Sequence, residues 1–95
     1  MLVKILKVLP LRVSNFTDRN GQPAVFKTKP LVCQNELGTI YAEAIQDTAQ
    51  KIEDAQVQEG MCAFISVTTV AREYKNSKEE IRYANDINIQ SLVLV

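Results

Sequence analysis

The chain has 95 residues, enough for one domain with one core, and 46% of them are hydrophobic. Its 11 basic and 11 acidic side chains cancel, and it has no histidine and only two cysteines, Cys33 and Cys62. These counts exclude a disulfide framework and argue against a zinc site, so we expect no metal and no cofactor. Both cysteines are expected to be small buried thiols within strands. No apolar run is long enough to span a bilayer and no signal-peptide pattern is present, so we expect a cytosolic protein without a membrane partner.

The charges are unevenly distributed along the chain. Residues 1–35 hold six basic side chains against one acidic one, a net charge of +5, whereas residues 36–60 hold one against six, a net charge of −5. Such an asymmetry indicates a basic face and an acidic face. The alternative is that both are ordinary solvated surfaces.

Three strands are predicted in the first half of the chain, at residues 2–13, 24–34 and 39–45. The first carries apolar residues on both parities and should bend or bulge near Pro10, because proline cannot donate to a ladder. Pro30 should kink the second strand. Residues 14–22 read as a loop that contains the tight-turn pair Asn20-Gly21.

A short helix follows, at residues 48–56. Asp47 and Gln50 have the spacing of a capping box, and Ala49, Ile52 and Ala55 recur at helical spacing. Gly60 then allows the chain to turn into the next strand.

The last third reads as a long hairpin, with strands at 61–74 and 80–89 around a polar turn. Ala63, Ile65 and Val67 recur at period two, which indicates one buried face. Tyr83 has the parity of three isoleucines and is expected in the core. We expect the same of Phe26 and Phe64.

Three strands, one short helix and two strands are the order of the five-stranded OB barrel, an all-β fold. We therefore predict a single OB-fold-like domain over residues 1–95, with Ile52 and Ala55 plugging one end of the barrel. An SH3-like barrel or a ubiquitin-like roll is the fallback.

Three segments, Val57–Met61, Arg72–Lys75 and Ile81–Ile87, resemble the closing half of bacterial and phage single-stranded DNA-binding proteins. In that family a glycine opens the fourth strand, an arginine and an aromatic residue lie near its end, and a polar hairpin leads to the fifth. The chain departs from the cellular type because it has no tryptophan and no acidic, glycine-rich tail. Its size is closer to that of compact phage or mobile-element binders.

Single-strand binding requires cations for the phosphates and flat side chains on which bases stack. We assign Tyr41 and Tyr74 as stacking platforms, with Phe16 as a weaker third. Lys27 and Lys29 share parity and are expected to point to one solvent face. The full predicted site is Phe16, Arg19, Lys27, Lys29, Tyr41, Arg72, Tyr74, Lys78 and Arg82. Alternatively, Lys78 and Arg82 only pair with neighbouring carboxylates.

The sequence offers no support for catalysis, since it has no nucleophile-elbow motif and no glycine-rich phosphate loop. The hypothesis is a non-enzymatic single-stranded DNA-binding protein with little sequence preference and no small-molecule substrate. RNA stays open as a ligand, because nothing identifies a contact to a 2′-hydroxyl. The apolar run Leu92–Val95 predicts self-association into a dimer or higher oligomer. The rival hypothesis is an OB-like module that binds a protein partner through its acidic helix or an exposed strand edge.

Overall fold

The computed structural model describes all 95 residues. The elements are β1 (Leu2–Val8), β2 (Arg12–Thr17), β3 (Pro23–Asn35), β4 (Gly38–Ile45), α1 (Gln46–Asp54), β5 (Cys62–Lys75) and β6 (Ile81–Leu94). The predicted all-β order with one helix is confirmed, except that the first predicted strand is two strands. No helix is both long and apolar enough to cross a membrane.

The first strand breaks around Pro10, and its two parts have different partners. β1 pairs with β5 and with β3, whereas β2 pairs with β3 alone. β2 also runs through residues that were expected in a loop, so the loop shrinks to the turn after Thr17. The Asp18 carboxylate fastens this turn by accepting hydrogen bonds from the backbone amides of Asn20 and Gln22, both at 2.9 Å.

The strands close into a ring. The hydrogen-bonded order is β1-β5-β6-β4-β3-β2, and the additional β1–β3 pairing returns the sheet to its start. The β4–β6 junction is parallel and rests on a single residue pair, Glu43 opposite Asn88, whereas the other pairings are antiparallel. β5 and β6 are 14 residues each, and their hairpin extends well beyond the barrel.

The core is built from aliphatic side chains and contains no aromatic ring. Its buried members are Val3, Ile5, Leu31, Cys33, Ala42, Ala44, Ala49, Ile52, Val57, Ala63, Ile65 and Ile89. Burial raises the pKa of the Cys33 thiol above its ordinary value, so the thiol stays protonated at neutral pH. Cys62 is exposed, contrary to expectation.

α1 covers one end of the barrel with Ala49 and Ile52. Ala55 was expected beside them but is exposed, and Val57 is buried instead. The predicted capping box is wrong, because no side chain caps the helix.

Candidate nucleic-acid interface

All six aromatic side chains of the protein lie on its surface. Their exposed fractions range from 40% at Phe26 to 71% at Tyr83; the other four are Phe16, Tyr41, Phe64 and Tyr74. The core placements predicted for Phe26, Phe64 and Tyr83 are therefore wrong. The barrel interior is filled instead by aliphatic side chains, among them Ala42, Ala44 and Ala63. Burying these rings would have stabilised the fold, and exposing them gives up that stabilisation. Exposed apolar surface of this kind is characteristic of a binding surface.

A groove of about 360 Å³ runs over the outer face of the sheet beside Tyr41. Because Ala42 and Ala44 point into the core, the alternate β4 residues Tyr41, Glu43 and Ile45 point outward. Phe26 from β3 lines the same groove, and residues 85–88 of β6 complete it. The groove therefore combines two rings with several hydrogen-bonding side chains. Sequence reasoning found Tyr41 but missed Phe26.

The even-numbered residues of β2 continue this surface. Ser14 lies opposite Phe26 and Phe16 opposite Ala24, so these side chains share one face of the β2–β3 hairpin. Arg12, on that face, places its Nη2 atom 3.4 Å from both the Tyr41 hydroxyl and a Glu43 carboxylate oxygen. Sequence analysis did not select Arg12, since recognising its face requires knowing that β2 is a strand.

Arg72 and Tyr74 stand together on the β5–β6 hairpin. The Arg72 Nε atom donates to Asp86 at 2.9 Å, and the guanidinium carbon lies 5.6 Å from the centre of the Tyr74 ring, a cation–π geometry. The hydrogen bond to Asp86, and then the charge of that carboxylate, raise the pKa of Arg72 above its ordinary value. Asp86 also lines the groove, so this cluster borders the groove.

Arg82 lies directly across the hairpin from Tyr74 and pairs with Glu80 at 2.7 Å. One of the pairings considered for Arg82 is therefore present. Lys78 is exposed in the hairpin turn and makes no ion pair, and the same is true of Arg19 in the β2–β3 turn. The hairpins that flank the groove thus each carry a free cation at the tip.

The prediction that Lys27 and Lys29 point to one solvent face is wrong. Lys29 is only 6% exposed, and its ammonium group lies 2.6 Å from a carboxylate oxygen of Glu53 on α1. The Lys27 ammonium donates to Gln50, also on α1, at 2.8 Å. Residues 28–31 of β3 are all buried where the strand turns from β2 toward the barrel, so the simple alternation fails. Both lysines attach the helix to the sheet instead of lining the groove.

Comparison with solved structures shows the fold. The second OB-fold domain of replication protein A from Methanococcus maripaludis, a solution NMR structure, superposes with a TM-score of 0.62 over 99% of this chain and 79% of that one, at 15% sequence identity. The chain has an OB-fold. No protein-family model matches it, and no curated protein sequence does so either.

Because β1 and β2 together take the place of the first OB-fold strand, β3 and β4 correspond to its second and third strands. The groove crosses β3 and β4. In OB-folds this is the face that binds oligonucleotides. The structure brings together Phe16, Tyr41, Arg72, Tyr74 and Arg82 on or beside that surface, and it adds Arg12 and Phe26. It places Arg19 and Lys78 at the flanking tips.

Proposed function

We propose that this protein binds single-stranded DNA without catalysing a reaction and with little overall sequence preference. The observation that carries the proposal is the exposure of every aromatic side chain, two of them in a groove that two cation-tipped hairpins flank. Bases stack on such rings whatever their identity, because every base has a flat face. The fold supports the proposal, since a solved structure with a similar fold is a domain of replication protein A.

The bases would occupy the groove and the phosphates its margins. Tyr41 and Phe26 supply the stacking surfaces in the groove, with Tyr74 on the hairpin beside it. Arg12 and Arg72 supply charge at the margins. Their ion pairs are solvent-exposed, with the arginine side chains 60% and 55% exposed. Exposed pairs of this kind contribute about 0–1 kcal/mol, so a phosphate can replace the carboxylate at little cost.

The test is fluorescence anisotropy with a labelled single strand of mixed sequence, titrated at low and then moderate salt. We expect binding that weakens along a log–log line, with a slope of about 0.7 for each phosphate contact. Tyr41→Ala should lose about 1–3 kcal/mol of binding free energy, the value of one stacked base. On a strand short enough for one barrel to cover, Phe64→Ala is the matched control, because Phe64 is at least as exposed as Tyr41 but lies opposite Leu2 of β1, outside the groove. A flat titration at low salt would contradict the proposal.

We propose further that the protein self-associates. Leu2, Phe64 and Val93 occupy directly opposed positions on the neighbouring strands β1, β5 and β6, and each is more than half exposed. We call these three residues the apolar stripe. One barrel covers few nucleotides, so joining several copies along one strand would raise the apparent affinity through effective concentration.

A further inference from the structure

The groove contains carboxylates where a phosphate-binding surface would carry cations. Glu43 and Asp86 both line it, together with Asn85 and Asn88. Carboxylates repel phosphates, so the backbone of a nucleic acid should avoid the centre of this groove. What enters must offer hydrogen-bond donors to the carboxylates and a flat face to the rings.

Building on the proposed function, we propose that this groove holds one nucleobase that carries an exocyclic amino group. An ionised carboxylate is an acceptor only, and cytosine, adenine and guanine present amino donors. Thymine and uracil present a carbonyl oxygen where cytosine carries its 4-amino group, and a carboxylate repels that oxygen. Their single donor on this edge is the ring N3–H. The groove would therefore prefer amino bases over thymine and uracil.

Tyr41 and Glu43 have the spacing that this assignment requires. They stand two residues apart on the same face of β4, about 6.6 Å along the strand. That distance matches the width of a base, so a base stacked at Tyr41 directs an edge toward Glu43. Asn88 is the residue opposite Glu43 on β6. Its carboxamide both donates and accepts and therefore suits any base. The carboxylates are therefore the groups that distinguish amino bases from thymine and uracil.

Glu43 is freer than Asp86 to accept a hydrogen bond from a base. Its only polar contact is the 3.4 Å approach of Arg12 to one oxygen, and its other oxygen has no protein partner. Asp86 receives Arg72 on both oxygens, at 2.9 and 3.5 Å. Each of those oxygens keeps a second lone pair, so Asp86 acts as the secondary acceptor.

Deoxycytidine and deoxyuridine oligonucleotides of equal length provide the test, because the two bases differ only in the 4-amino group and the adjacent ring nitrogen. Measured by anisotropy, the wild type should bind the deoxycytidine strand about fivefold more tightly, as expected for one partly exposed hydrogen bond to a charged group. In Glu43→Gln this ratio should fall toward one, because the amide can donate to the uracil carbonyl as well as accept.

Glu59→Gln is the matched control, since Glu59 is exposed, makes no ion pair and lies outside the groove. It removes the same charge and should keep the wild-type ratio. Tight and equal binding of both strands by the wild type would overturn this inference and leave the proposed function intact. A preference that persists in both Glu43→Gln and Asp86→Asn would also overturn it. Failure to bind either strand would instead contradict the proposed function.

Discussion

Lys29 has an environment that its place in the sequence does not indicate. It is a buried lysine on a strand, and the half-exposed Glu53 of α1 is its ionic partner. A buried ammonium group is costly unless it is paired, so this contact holds α1 against β3 instead of serving a ligand. The alternation expected of a flat strand fails here because β3 turns inward at residues 28–31, and the order of odd and even positions in the sequence does not indicate that turn.

Glu53→Gln should lower the free energy of unfolding more than Lys29→Met does. The first variant leaves a buried charge without its ionic partner, which should cost about 1–2 kcal/mol after allowance for the partial exposure of Glu53. The second removes the charge and keeps the aliphatic stem. Urea denaturation followed by circular dichroism measures both, with the exposed, unpaired Glu36→Gln as the control. Equal decreases in the free energy of unfolding of the two variants would contradict this account, because an unpaired Lys29 charge would then carry no extra cost.

Lys27→Gln should leave the affinity for single-stranded DNA unchanged, whereas Arg72→Gln should weaken it. Lys27 binds Gln50 on the helix side, while Arg72 borders the groove beside Tyr74. For Arg72→Gln we also expect the salt dependence of binding to become shallower by about 0.7, the contribution of one phosphate. Anisotropy titrations at several salt concentrations give both quantities. If Lys27→Gln lost affinity and Arg72→Gln did not, the result would contradict the placement of the DNA-binding surface at the groove.

Among the elements, the β5–β6 hairpin is the one that sequence patterning described best. Ala63, Ile65 and Val67 alternate as expected, and the hairpin turn lies where its polar residues placed it. β2 was missed because all six of its residues are exposed, so it has no period-two apolar pattern. Phe26 was missed as a groove residue for the same reason. The face on which it lies is defined by the pairing of β3 with β2, and the local sequence does not indicate that pairing.

Shortening the β5–β6 hairpin should separate binding from folding. Replacing residues 73–83 with Asn-Gly joins Arg72 to Ala84, which are already opposite each other, through a turn that hairpins favour. The deleted residues are exposed apart from the partly buried Asn76, so the melting temperature should change little. The loss of Tyr74 as a stacking surface should reduce binding by about 1–3 kcal/mol. Calorimetry and anisotropy on the same preparation check the two outcomes; unchanged affinity would remove the hairpin from the interface.

For the whole molecule, closing the sheet determines which surfaces stay available. The C-terminal run was expected to extend into a neighbouring chain, but β6 through Leu94 pairs with β5 of its own chain, with Leu94 opposite Ala63. What this pairing leaves exposed is the apolar stripe on the outer face. The candidate contact is therefore a sheet face instead of a strand end, and on β6 its residue Val93 lies toward the opposite end of the strand from residues 85–88 of the groove.

Phe64→Ser and Val93→Ser should each shift the protein toward monomer if the apolar stripe joins two copies. Both residues are on the surface, so the variants remove apolar contact area without opening a cavity in the core. Sedimentation velocity at micromolar concentration measures the change, and Tyr41→Ser is the control because it removes an equally exposed ring from the groove. Since no stripe residue lines the groove, the monomeric variants should still bind a short oligonucleotide that only one barrel can occupy. They should lose affinity for long strands, where linked copies act together.

A wild-type protein that sediments as a monomer would contradict self-association, and the single-barrel interface would then account for all of the binding.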